Sequence, residues 1–421
     1  MHGSLHNPRK DLRVQMSVRR SVGLLALMLV PALGEARGWR QTGSLNTPRY
    51  DHTATKLPSG KVLVAGGYGS FPYLPLTSGE LYDPDAFDTT TGTMGSWTAT
   101  GSLKAGRLFH TETLLLTGEV LVVGGAGAAD SAELYDPAAP DSTSGTMGSW
   151  TTVATELQPR HYGHTATRLN SGKVLITGGW DESTGVDRPV ASAAVYDPDS
   201  KKITATAPMR HVRYRHTSTL LPSGKVLVTG GWNGEYDFLR FAEVYDPDAV
   251  DTATGTTGTW TEAPWMSTER GGHTATLLTS GSNSGKVLVA GGCGNYGFCP
   301  SETELYGEDN GGSWSSAGTM LQEGTLLPET RAYHTATLLD SGKSVLLVGG
   351  CGVDGVSSGY LASAKQYDDN KQPPWSSLNP LSQERINHTA TRLDTGAVLV
   401  VGGHVSVPFE GDRPTGAAEL Y

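Results

Sequence analysis

Seven times along the chain a strand-like apolar run ends in a glycine pair: Gly66-Gly67, Gly124-Gly125, Gly178-Gly179, Gly230-Gly231, Gly291-Gly292, Gly349-Gly350 and Gly402-Gly403. Successive pairs lie roughly 52 to 61 residues apart, a range in which self-similarity marks stacked or ring-like repeat architectures. Such units bury their apolar surface only against one another, so repeats override chain length as a guide to domain count. The 421 residues therefore predict one array rather than several ordinary domains.

Each unit has the same internal order. In the first, Arg49-Tyr50-Asp51-His52-Thr53-Ala54-Thr55 leads through Ser59-Gly60-Lys61 into Val62-Leu63-Val64-Ala65 and the glycine pair; Glu80-Leu81-Tyr82-Asp83-Pro84 and Trp97 follow. Ser-Gly-Lys between apolar runs is a hairpin signal, because glycine takes the positive φ of a tight turn. Val-Leu-Val, apolar at every position, predicts a strand covered on both faces, as in a sheet packed between other sheets. With 55 glycines and no long apolar helical pattern beyond the N-terminus, the composition predicts an all-β protein.

Arg-x-x-His-Thr-Ala-Thr, a strand closing in Gly-Gly, then Glu-Leu-Tyr-Asp-Pro and a tryptophan resemble the kelch repeat, over nearly all of the chain after residue 36. The resemblance implies an all-β, seven-bladed kelch β-propeller with four-stranded blades around a central channel. Departures are few: Ile203 stands where other units have Trp97, Trp150, Trp260, Trp314 and Trp375, and Arg160 lies one residue further from His164. The motif begins at Trp39 and ends at Glu419-Leu420-Tyr421. The N-terminal segment Trp39 to Gly43 is therefore expected to join the last blade as its outermost strand, closing the ring and removing an open edge.

Residues 1–36 stand apart from the array. Arg19-Arg20, the apolar run Val22 to Val30 and the small residues before Ala36 read as a signal peptide, with Met16 as its start. An apolar run of about ten residues is too short to span a membrane. The expected organisation is an extension plus signal peptide at 1–36 and a single propeller at 37–421, exported to a secreted, periplasmic or cell-surface location. The leader holds five basic and two acidic residues, so its loss takes the formal charge from −10 to −13. An acidic surface disfavours nucleic acid and anionic membranes as partners. The mature chain is expected to be a monomer with no membrane insertion.

Several features invite chemistry that the repeat explains otherwise. His52, His110, His164, His216, His273, His334 and His388 recur at one position, and a position repeated in every unit points to internal hydrogen bonding rather than metal binding. The repeated arginines, such as Arg49, Arg107 and Arg213, are expected to bridge adjacent blades. Gly292–Gly297 and Gly350–Gly355 match a dinucleotide fingerprint, but no helical pattern follows to hold a pyrophosphate. Gly355 to Gly359 matches a nucleophile elbow without its helix. The aspartate-rich turns after Tyr-Asp-Pro lack the EF-hand spacing. No cofactor and no metal are expected. Cys293 and Cys299 can close a small disulfide loop, leaving Cys351 free; Cys293 with Cys351 is the rival pairing.

Binding residues are sought among the loops after the glycine pairs, where the units differ: Tyr68, Trp180, Asp181, Trp232, Asn233, Tyr236, Asn295 and Tyr296. Aromatic rings flanked by Asp and Asn suit stacking on a sugar with hydrogen bonds to its hydroxyls, or anchoring a peptide. The expectation is an exported, non-enzymatic kelch propeller that binds a protein or glycan through this loop face. The alternative is an exported carbohydrate-active enzyme, galactose-oxidase-like or sugar-epimerase-like, with Asp181, Glu235 and Asp237 as acid or base candidates. A galactose-oxidase-like copper site would need a tyrosine cross-linked to cysteine, two histidines and a second tyrosine, a set that no motif picks out.

Overall fold

The computed structural model describes residues 38–421 apart from 71, 155–160, 182–187, 235–236, 253–254, 323–324, 354–357 and 408–410. The leader assignment at 1–36, Arg160, Glu235, Tyr236 and the core of the elbow-like match lie outside the described residues.

The units fold as the apolar pattern dictates. The first forms a four-stranded antiparallel sheet, Thr53–Lys56, Val62–Ala65, Gly79–Asp88 and Thr93–Thr100. Six further sheets repeat this order among the described residues. In the last of them, Arg40–Gln41 pairs antiparallel with Ala418–Leu420, Arg40 opposite Leu420 and Gln41 opposite Glu419. There is no α-helix among the described residues; the architecture is all-β, of the β-propeller kind.

Each second strand is fully buried, as its unbroken apolar run requires, and its two faces serve two different neighbours. Val62 and Val64 pack with Leu399 and Val401 of the seventh sheet, whereas Leu63 and Ala65 pack with Val120 and Val122 of the second. Seven such apolar clusters lie between successive sheets, one of them between the seventh and the first. The inner strands Thr53–Lys56, Thr111–Leu114, Thr165–Arg168, Thr217–Leu220, Thr274–Leu277, Thr335–Leu338 and Thr389–Arg392 touch in that order, and the first touches the seventh.

The repeated polar residues knit this arrangement. Every repeated histidine presents Nε2 to a threonine hydroxyl of the preceding sheet, from His110 to Thr53 at 2.8 Å through His388 to Thr335 at 2.9 Å, and His52 reaches Thr389 at 3.0 Å. Burial holds His52 and His273 down to about 3, so these rings are neutral hydrogen-bonding groups. The first glycine of six of the pairs, Gly66, Gly178, Gly230, Gly291, Gly349 and Gly402, makes room for this ring. Gly66 has φ +62°, and a Cβ there would lie 2.7 Å from both His110 Cε1 and the Arg107 carbonyl.

The arginines correct the expectation that they bridge blades. Each of the six described ones donates within its own sheet, as Arg49 does to the Gly66 carbonyl at 2.8 Å and to Glu80 at 2.9 Å. It is the glutamate that reaches outward, Glu80 accepting from the backbone N–H groups of Asn46 and Thr47 in the incoming connection. The tryptophans do cross between sheets, Trp97 donating to the Gly43 carbonyl at 2.7 Å and Trp150 to that of Gly101 at 2.8 Å.

Candidate functional site

Above every sheet, the segment entering the inner strand pairs with the segment leaving the glycine pair. Arg49–Tyr50 pairs with Tyr68–Gly69, and His161–Tyr162 with Trp180–Asp181. Bridges join Leu108 to Ala126, Tyr214 to Trp232, Gly271 to Cys293 and Ile386 to His404. The two variable segments of each unit thus form one face.

Trp180 and Trp232, from adjacent sheets, stack with ring centres 5.6 Å apart and planes within 5°. Tyr214 meets both edge-on, at 5.3 and 5.5 Å. The pair is half-buried, and a cleft of about 490 Å³ beside it is walled by Trp180, Arg188, Pro189, Val212 and Asn233. Asp181 is buried, and the Asn233 side chain accepts from the Asp237 N–H. Asn295 accepts from the Phe238 N–H at 2.8 Å, which ties the fifth sheet's loop to the fourth's; Tyr296 beside it is fully exposed. Tyr68 lies apart from these, stacked on Tyr73 and edge-on to Tyr50. Cys293 and Cys299 form a disulfide, and Cys351 is free.

The structure adds a second set of variable residues, one per sheet, at the position just before each repeated histidine. All seven have positive φ: Asp51 52°, Phe109 53°, Gly163 62°, Arg215 54°, Gly272 66°, Tyr333 56° and Asn387 52°. Left-handed backbone on five non-glycine residues, each costing about 1 kcal/mol, persists only where surrounding bonds enforce it. Those bonds form a belt. Asp51 N–H donates to the Asn387 carbonyl, Phe109 to Asp51, Gly163 to Phe109, Arg215 to Gly163, Gly272 to Arg215 and Tyr333 to Gly272, at 2.9 to 3.4 Å.

Side chains from this belt meet across the mouth that the inner strands surround. The Arg215 guanidinium lies 5.2 Å from the Phe109 ring centre and 4.9 Å from that of Tyr333, two sheets away on either side. Tyr214 adds a third ring at 5.4 Å. Burial opposes the Arg215 charge, but Tyr333, Tyr214 and Asp51 outweigh it and hold the group above its ordinary range. Burial pushes Asp51 up to about 7, with Arg215 working the other way. Asp51 and Arg215 were invisible as a pair because each fills a variable slot of a repeated motif. Comparing that slot across the seven units, where Asp, Phe, Gly, Arg, Gly, Tyr and Asn alternate, is the signal that finds them.

Beside the mouth, the Tyr360 hydroxyl donates to Asp412 Oδ2 at 2.7 Å and lies 3.3 Å from His404 Nδ1. Tyr50 packs on His404 with ring centres 4.5 Å apart, and Cys351 stands opposite Tyr360 in a small ladder.

No protein-family model matches the chain. It is 26% identical to Adagio protein 3 of Arabidopsis thaliana over 266 residues, 59% of this chain and 40% of that protein. It is 35% identical to the F-box/kelch-repeat protein At2g44130 of Arabidopsis thaliana over 77 residues, 18% of each. The chain thus spans less than half the length of these curated relatives. Among solved structures, a fungal alcohol oxidase of the AA5 family in complex with copper aligns over 90% of this chain and 76% of its own, with TM-score 0.65 and 15% identity. The structure of YjhT aligns over 74% and 93%, with TM-score 0.54 and 15% identity. Fold and repeats together define a β-propeller-type protein of four-stranded sheets. Its repeats are similar to those of kelch-repeat proteins.

The copper of that oxidase invites a test of the donors here. Tyr360, Cys351, His404 and Tyr50 gather at the mouth, but the set is one histidine short, and Asp412 takes the Tyr360 phenol. Among the described residues no group of three or more His, Cys, Asp or Glu side chains is arranged to hold a metal ion. The described residues do not fit a galactose-oxidase-like copper site.

Proposed function

We propose that the chain is a seven-bladed propeller, residues 37–421, exported behind a cleaved leader and closed by its N-terminal strand, that serves as a binding scaffold. Its loop face receives a protein or glycan partner, and it works as a monomer without catalysis. The antiparallel pairing of Arg40–Gln41 with Ala418–Leu420 supports the closure. The observation that carries the binding reading is the half-buried, parallel Trp180–Trp232 stack beside a polar-rimmed cleft, while the repeated His and the described repeat Arg are consumed by internal bonds. Stacked indoles present apolar ring surface to a sugar ring or an aromatic anchor.

A glycan array probed with the full chain, Trp180→Ala and Trp232→Ala tests it. Binding to a defined glycan class that both substitutions abolish, with melting temperature little changed, supports the reading. Binding indifferent to both substitutions moves the site elsewhere and defeats it. The closure has its own test: deleting residues 38–43 should lower the melting temperature by several degrees, since it strips a strand from the last sheet and leaves an unpaired edge.

A carbohydrate-active enzyme is the second reading. It is favoured by Asp51, a carboxyl that burial pushes up to about 7 and that feels the charge of Arg215 from an equivalent belt position. Turnover of an oligosaccharide abolished by Asp51→Asn would establish it in place of the scaffold.

A further inference from the structure

The six described repeat arginines share one fate: each is fully buried and paired with a glutamate. Arg215 is built differently. Its guanidinium is surrounded by the rings of Phe109, Tyr214 and Tyr333 and hydrogen-bonds to Tyr333, so rings and a phenol hold it where a buried glutamate holds the repeat arginines. The two residues flanking it in the belt are glycines, and both are needed for space. A Cβ on Gly163 would lie 2.9 Å from the Tyr214 ring, and one on Gly272 would lie 2.8 Å from the Tyr333 ring. The clearing around Arg215 is therefore part of the architecture rather than a gap in it.

We propose that this mouth is a small-anion site, in which Arg215 receives the carboxylate or phosphate group of a small-molecule ligand and Asp51 opposes it from the facing sheet. Three features define the ligand. A forked guanidinium clamped against aromatic rings is preorganised for a planar or tetrahedral oxyanion, and charge-assisted bonds to such a group are the strong ones. The rings of Phe109, Tyr214 and Tyr333 offer apolar contact to whatever carries the anion. A single arginine side chain reaches rings two sheets away on both sides, so the mouth admits a small group and not a folded domain. Asp51 sets the selectivity. Its carboxyl, at the belt position equivalent to Arg215, works against an incoming anion. This site adjoins the Trp180–Trp232 platform through Tyr214, which touches both tryptophans and Arg215.

Calorimetric titration of the full chain with sodium acetate and with sodium phosphate tests the proposal. At least one anion should bind; acetate alone indicates a carboxylate ligand and phosphate alone a phosphorylated one. Arg215→Gln should weaken that binding by at least about tenfold, the loss expected for a charge-assisted hydrogen bond. Arg240→Gln should leave it unchanged, because Arg240 also lies over an aromatic ring, 4.8 Å from Trp265, but is exposed and not part of the belt. Asp51→Asn should tighten it, a gain that misfolding cannot mimic. Equal affinity in the wild type and Arg215→Gln, or no binding of either anion to both the wild type and Asp51→Asn, overturns the site.

Discussion

Lys365 Nζ lies 2.8 Å from Glu329 Oε2, and both side chains are buried. Lys365 occupies the place of Glu80, Glu133, Glu243, Glu304 and Glu419 in five of the other sheets, the third having Ala194, so the sixth sheet has a cation where its partner arginine needs an anion. Glu329, two residues before Arg331, supplies the missing carboxylate and pairs with Arg331 and Lys365 together. Glu329→Gln should therefore destabilise the protein by about 3 kcal/mol, because it leaves two buried cations facing one neutral amide. Urea denaturation monitored by far-UV circular dichroism measures this.

Glu112 is the one acid at an inner-strand position where Ala54, Ala166, Ala275, Ala336 and Ala390 stand in other sheets. Burial pushes it up to about 8, with Thr53 and Thr55 of the adjoining strand working the other way. The folded chain then keeps a proton that the unfolded chain releases near the ordinary carboxylate value. Stability should be fullest below pH 4.5 on account of this group, and should decline as pH rises through about 8. Glu112→Ala should flatten that decline, seen as urea midpoints less dependent on pH across this window.

Gly66→Ala and Gly92→Ala separate close approach from backbone conformation. Both glycines have positive φ, 62° and 72°, but a Cβ on Gly66 collides with His110 and the Arg107 carbonyl, whereas nothing lies within 4 Å of one on Gly92. Gly92→Ala should cost about 1 kcal/mol and Gly66→Ala about 3 kcal/mol or more, as the second adds overpacking between sheets. Paired thermal and urea melts test the difference.

The Cys293–Cys299 bond closes a loop with a sequence separation of 6 residues. Chain entropy assigns a loop this short about 2 kcal/mol. The double variant Cys293→Ser/Cys299→Ser should lose that much stability with unchanged sheet content. A thiol assay on denatured wild type should read one free thiol before reduction and three after it, Cys351 being the first.

Much of the fold was legible because its unit recurs. Periodicity, the Ser-Gly-Lys turns and the Val-Leu-Val runs give four-stranded sheets with a doubly covered second strand, and the repeated histidines fall to internal hydrogen bonds for the same reason. The arginines were legible as structural but not in their direction. Whether Arg49 binds its own sheet or the next depends on side-chain reach in three dimensions, and Glu80, 31 residues away, proves to be its partner. The site was less legible. The segments after the glycine pairs do bring Trp180 and Trp232 together, but Asp51, Arg215 and Tyr333 were masked as variable letters inside a conserved-looking pattern.

The sequence by itself determined the repeat, the strand order within each unit and which residues are spent on holding units together, since these rest on local periodicity. Only the tertiary structure decided what faces what across the mouth. Asp51 and Arg215 are 164 positions apart and belong to sheets that share no apolar cluster. They interact because inner strands arranged about a common mouth direct the same backbone position inward from every sheet, a relationship that no spacing along the chain encodes.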